Sequence, residues 1–197
     1  MRLTFLATSL LVALTQSAAA EDGFYYGLGL GVTQSSADAE IEDFFNLTAT
    51  NLSLALTAGY RIAQSKGLSY GIEGNLDVHT GKLMKDGPAE GCSNFTPSWC
   101  EINSSLRVRG TLSKKLAAGN TLMASLGFVV VSGRLEANPS DYRDSIGRGP
   151  SIGISWEHPM GNHGLRMDLN YDLIKTDNNP TYDRSLDMIG LRISYMF

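Results

Sequence analysis

The feature that most limits the folds open to this chain is a strict alternation of apolar and polar residues, repeated in eight long stretches. Successive side chains of a β-strand point to opposite faces, so such alternation marks a sheet with one apolar and one polar surface. In residues 23–33, Phe24, Tyr26, Leu28, Leu30 and Val32 share one face, against Tyr25, Gly27, Gly29 and Gly31. Residues 51–62 set Leu52, Leu54, Leu56, Tyr60 and Ile62 against Asn51, Ser53, Thr57 and Arg61. The pattern returns over 68–80, 102–113, 149–157, 164–175 and 189–197, and over 121–133, which is apolar on both faces although Leu122, Leu126, Phe128 and Val130 still alternate with Ser125 and Gly127. It predicts eight strands of about 10–13 residues, long for a soluble sheet and matched to the roughly 9–11 residues of a tilted strand that crosses a bilayer.

The connections differ in size. Long polar segments are expected at 34–50, 81–101, 134–148 and 176–185, and short turns at "AQSKG", "KKLAAGN" and "HPMGNH". Long loops at one end and short turns at the other, in up-and-down order, are the organisation of a membrane β-barrel. Ahead of the first strand, Met1-Arg2, the apolar run from Leu3 to Leu14 and Ala18-Ala19-Ala20 form a secretory leader, residues 1–20, too short to span a bilayer. Cleavage after Ala20 would leave 21–197 as one exported barrel domain.

The polar parity decides what the other face meets. It carries Arg61, Arg107, Arg109, Arg166 and Arg192 against Glu73, Asp77, Glu157, Asp168 and Asp172, amid glycine, serine and asparagine. A solvated face has no need of balance, whereas the lumen of an eight-stranded barrel is filled by side chains and holds charge only when paired. These ten residues are therefore expected to form a lumen ion-pair network. The glycines of the first strand would let Arg and Glu from other strands pass across it. On the apolar parity Phe24, Tyr26, Tyr60, Tyr70, Trp156, Tyr195 and Phe197 lie near the short-turn ends, where an aromatic girdle meets the bilayer interface. Phe44, Phe45, Phe95, Trp99, Tyr142 and Tyr182 fall in the long loops. Cys92 and Cys100, the only cysteines, read as one disulfide closing a short loop of an exported protein.

On these stretches the chain resembles the small eight-stranded outer-membrane β-barrels of Gram-negative bacteria, the OmpA-like and OmpX-like transmembrane domains of the porin family. The resemblance covers residues 22–197, and its sharpest element is the ending "LRISYMF". There Leu191, Ile193, Tyr195 and Phe197 match the assembly signal that the barrel assembly machinery reads in this class. The resemblance implies an all-β, antiparallel transmembrane barrel in the outer membrane, with periplasmic short turns and extracellular loops. It implies a monomer surrounded by outer-membrane lipid, with a surface or structural role through a loop partner that the residues do not name. A narrow channel for small or hydrophobic solutes, as in OmpW-like barrels, is the alternative. A lipid-modifying enzyme is the third reading.

Residue chemistry excludes several other classes. With a formal net charge of −4 and Lys and Arg dispersed, there is no basic stripe for nucleic acid. His79 and Asp77 share a face, but Ser104, Ser105 and Ser132 sit in no nucleophile motif, so no catalytic residue is assigned. His158 and His163 flank a turn without a placed carboxylate, and no metal or other cofactor is expected. Gly27, Gly29 and Gly31 precede no helix and make no phosphate loop.

Overall fold

The computed structural model describes residues 23–38, 46–81, 98–116, 119–138, 141–176 and 185–197. The expected leader, Cys92 and the loop aromatics Phe44, Phe45, Phe95 and Tyr182 lie outside the described residues. Eight strands, β1 (Gly23–Asp38), β2 (Asn46–Ala63), β3 (Leu68–His79), β4 (Ser98–Lys115), β5 (Thr121–Asn138), β6 (Asp141–Met160), β7 (His163–Thr176) and β8 (Ser185–Met196), follow one another around a closed barrel. Every neighbouring pair is antiparallel, and β1 pairs with β8, so no sheet edge is left open.

Closure follows from the alternation. The apolar parity of every strand points outward, with Leu30 and Phe128 about as exposed as such residues become, at 70% and 72%. Leu54, Ile72, Leu112, Ile154, Leu169 and Leu191 continue this band around the barrel. An exposed apolar surface that encircles the molecule is far beyond what a soluble monomer presents. The polar parity turns inward and is buried.

Several strands run beyond the expected bounds. Residues 134–148, read above as a long polar loop, are instead strand, with Arg134 opposite Asp144 and the pairing continuing to Asn138 opposite Asp141. Likewise Gln34–Asp38 pair with Asn46–Thr50, and β4 begins at Ser98. The backbone ladder needs no lipid to continue. The apolar parity that reveals a strand does, and it stops at the bilayer boundary. At the opposite end, "HPMGNH" is mostly strand. Only Gly161-Asn162 separate β6 from β7, and Gly161 (φ 66°) occupies the first central position, where a type II′ hairpin requires glycine.

Candidate functional site

The lumen is where inward side chains from all eight strands meet. Glu73 and Asp77 come from β3, Arg107 and Arg109 from β4, Arg166, Asp168 and Asp172 from β7, and Arg192 from β8. Because β3–β4 and β7–β8 lie across the barrel from each other, these side chains bridge the lumen. Arg107 donates to Asp172 through Nη2 at 2.6 Å and Nε at 3.0 Å, and also pairs with Asp77. Asp77 is shared with Arg192, at 3.4 Å. Arg192 pairs with Asp168 at 3.2 Å, and Asp168 with Arg166 at 2.6 Å. Arg166 grips Glu73, which Arg109 also reaches at 3.2 Å.

The result is one unbroken chain of alternating charge: Asp172, Arg107, Asp77, Arg192, Asp168, Arg166, Glu73, Arg109. Neutral groups supply further bonds to it. Tyr25 donates its hydroxyl to Glu73 at 2.9 Å, Asn75 donates to Glu73 at 2.7 Å, and Asn170 accepts from Arg109. All eight charged side chains are buried. Such a chain resists disruption, because removing one member leaves its partners desolvated and unpaired.

Arg61 and Glu157 pair separately, at 3.3 Å, nearer the short-turn end, and Arg61 also lies over the Tyr25 ring at 5.0 Å. A cavity of about 410 Å³ opens at this end, lined by Arg61, Glu157, Lys115, Thr121, Met196 and Phe197 among others. None of the eight chained residues lines it.

Above the charges, toward the loop end, the lumen changes character. Ala37, Ala49, Trp99, Ile102, Val129, Val131, Ile174, Leu186 and Met188 pack into a buried apolar cluster. Trp99, expected in a loop, is instead on β4 and nearly fully buried, against Gly133 and Gly147, where an added Cβ would come within 2.9 Å and 2.8 Å of the indole. Alternation alone could not place it. Register shifts between Trp99 and Glu101 and between Ile102 and Ser104 break the parity that holds from Ser105 onward. Gly133 and Gly147, both on the inward parity of adjacent strands, were the available sign that something large packs against the inner face of β5 and β6.

Two further expectations meet different geometry. The glycines of β1 make room for the neighbouring strand rather than for distant charges. A Cβ on Gly29 would lie 2.6 Å from the Ile193 carbonyl, and one on Gly27 would meet Met196. The glycine that an arginine does cross is Gly153 on β6, where a Cβ would stand 2.6 Å from Arg109 Nη1. His79 Nε2 is 3.1 Å from Ser105 Oγ, but His79 Nδ1 has no hydrogen-bond partner, and Asp77 is engaged by Arg107 and Arg192. Among the described residues no carboxylate orients the imidazole, and Ser105 is fully buried, so there the pair has neither the third member nor the access of an activated nucleophile.

At the short-turn end Phe24, Tyr60, Tyr70, Trp156 and Tyr195 are exposed on the outer face. Tyr26 stacks on Phe197 at 5.2 Å, and Tyr195 meets the same ring edge-on at 4.9 Å. His158 stacks on Trp156 and His163 packs beside Tyr195, so both histidines extend the aromatic ring of the barrel. Leu191 and Ile193 point outward on β8. Cys100 is buried at the start of β4, and its expected partner is outside the described residues.

No family model matches the sequence, and no curated protein matches it. Solved structures do match in fold. The outer membrane protein OprG from Pseudomonas aeruginosa superposes with a TM-score of 0.52 at 13% identity, over 89% of this chain and 96% of that one. Neisserial surface protein A gives 0.51 at 15% identity, over 88% and 96%. Ail, the attachment invasion locus protein of Yersinia pestis, gives 0.50 at 13%, over 89% and 99%. The chain shares with them the closed eight-stranded antiparallel barrel.

Proposed function

We propose that this chain is a non-enzymatic integral protein of the bacterial outer membrane, a sealed barrel that anchors its loop-end strands at the cell surface for contact with a partner. The observation that carries this reading is the double closure of the lumen, a continuous chain of buried ion pairs below and a buried apolar cluster around Trp99 above. An eight-stranded barrel has room for side chains rather than an aqueous path, and here those side chains bind one another across the lumen.

The encircling apolar band and the aromatic ring at its lower edge support residence in a bilayer. On this reading residues 1–20 are an export leader, and Leu191, Ile193, Tyr195 and Phe197 guide assembly. A Cys92–Cys100 bridge, favoured by the burial of Cys100 and by the lack of a free cysteine among the described residues, ties the residues before β4 to that strand.

Planar-bilayer recording of the purified barrel tests the sealed lumen. No steady current is expected, and a solute-selective conductance would replace this reading with a channel. Expression in a host with defined lipid A tests the absence of catalysis: a mass change abolished by His79→Ala would establish an enzyme.

A further inference from the structure

The short-turn rim carries lysines that stand outside the buried ion-pair chain. Lys66 sits in the 3-10 turn Ser65–Gly67 between β2 and β3, and is the only non-glycine residue with positive φ among the described residues, at 65°. Lys114 reaches over from β4 and donates its Nζ to the Lys66 carbonyl at 2.6 Å, which ties its ammonium to the turn that carries Lys66. Lys115 follows on the same strand and lines the mouth of the lumen.

Lys114 occupies the outward parity. It continues the line of Leu106, Val108 and Leu112, with Leu68 opposite it on β3 and Leu122 opposite it on β5. Both neighbours are exposed apolar residues, and the next outward pair up the barrel is Tyr70 with Leu112. Lys114 is thus a cation on the lipid-facing surface, one step below the aromatic ring and without a cross-strand carboxylate. The described side-chain carboxylate at this end, Glu157, is taken by Arg61.

We propose that Lys66 and Lys114 form a docking site for the phosphate of an anionic phospholipid headgroup in the leaflet at the short-turn end. The inference rests on the membrane reading above. The level is that of the headgroups, because amphipathic rings mark the interface and lysine stems extend along apolar surface to place their charge there. The charge is complementary, and the ligand is continuous with the lipid band already facing this strand pair. A headgroup would also supply a counter-charge for the Lys114 ammonium, which is hydrogen-bonded to the neutral Lys66 carbonyl.

The test is native mass spectrometry of the folded barrel released from micelles containing equal phosphatidylglycerol and phosphatidylcholine. The full-length mature protein should retain phosphatidylglycerol preferentially. Each removal, Lys66→Gln and Lys114→Gln, should lower the ratio of the two retained lipids by roughly fivefold, the effect of about one lysine at an anionic surface. Arg148→Gln with Lys175→Gln, exposed cations at the opposite rim, should leave the ratio unchanged. Equal ratios in wild type and Lys66→Gln/Lys114→Gln, or an equal fall in the opposite-rim variant, would overturn the site. Inorganic phosphate at millimolar concentration should not compete; displacement by it would assign the lysines to free anions instead. A barrel that stays folded and monomeric without detergent would refute the membrane reading, a different outcome from loss of lipid selectivity.

Discussion

Arg107 is held by two carboxylates, and Asp172 has Arg107 as its ion-pair partner across the lumen. Arg107→Leu therefore strands Asp172 and half-strands Asp77 in a buried position. The expected loss is about 3–5 kcal/mol, the usual cost of breaking a buried pair from one side. Leu191→Ala, on the lipid-facing parity, leaves no unpaired charge and no internal cavity, so its loss should be smaller, about 1 kcal/mol. Urea unfolding midpoints in micelles, read by tryptophan fluorescence, separate the two, and equal midpoints would contradict the assignment of faces. The membership of the charge chain is legible in sequence, because Glu73, Asp77, Arg107, Arg109, Arg166, Asp168, Asp172 and Arg192 all sit on the polar parity of their strands. The partners are not, since they depend on strand stagger around the closed barrel. Nothing in the spacing says that Arg166 of β7 meets Glu73 of β3.

At the scale of the strand, the seam between β1 and β8 must close on a glycine with backbone directly against it. Gly29 faces Ser194, and a Cβ there would press within 2.6 Å of the Ile193 carbonyl. Backbone cannot give way as a flexible side chain does, so Gly29→Val should block closure and reduce the fraction that migrates as the compact form on an unheated gel. Gly74 on β3 is the matched control. Its nearest neighbour to an added Cβ is the Ala58 carbonyl at 3.8 Å, so Gly74→Val should fold as wild type, within about 0.5 kcal/mol. Equal folding yields for the two would mean that the close backbone approach at Gly29 sets no limit on closure. The membrane-spanning middle of each strand is visible in the sequence because lipid imposes apolar residues at every second position. Beyond the bilayer that constraint ends, which is why the β5–β6 extension through Arg134 and Asp144 reads as loop while its backbone stays paired. The bulges before Ser105 have the same effect on Trp99, since a shift of register reverses which parity points inward.

For the whole molecule, the consequence is that two barriers of opposite chemistry stand in series along one lumen. Eight strands, their order and their closure follow from alternation and connection length, and the charged barrier follows from the balanced polar parity. The apolar barrier had no such sign, because Val129 and Val131 lie in a stretch apolar on both faces and Trp99 lies beyond a bulge. The arrangement makes the barriers separable. Trp99→Ala removes the largest side chain of the upper cluster and should cost about 3–5 kcal/mol, yet the charged chain beneath it is untouched, so the folded variant should stay electrically silent in planar bilayers. Arg192→Ala alone breaks the link between Asp77 and Asp168 while the apolar cluster still closes the loop end, so it too should be silent. The double variant opens both levels of the lumen, Trp99 from the β4 wall and Arg192 from the β8 wall across from it, and is the first expected to pass steady current. Current through Trp99→Ala alone would mean that the ion pairs impose no barrier. Silence in a folded double variant would mean that the surrounding side chains refill the lumen, and that closure belongs to the width of an eight-stranded barrel rather than to these residues.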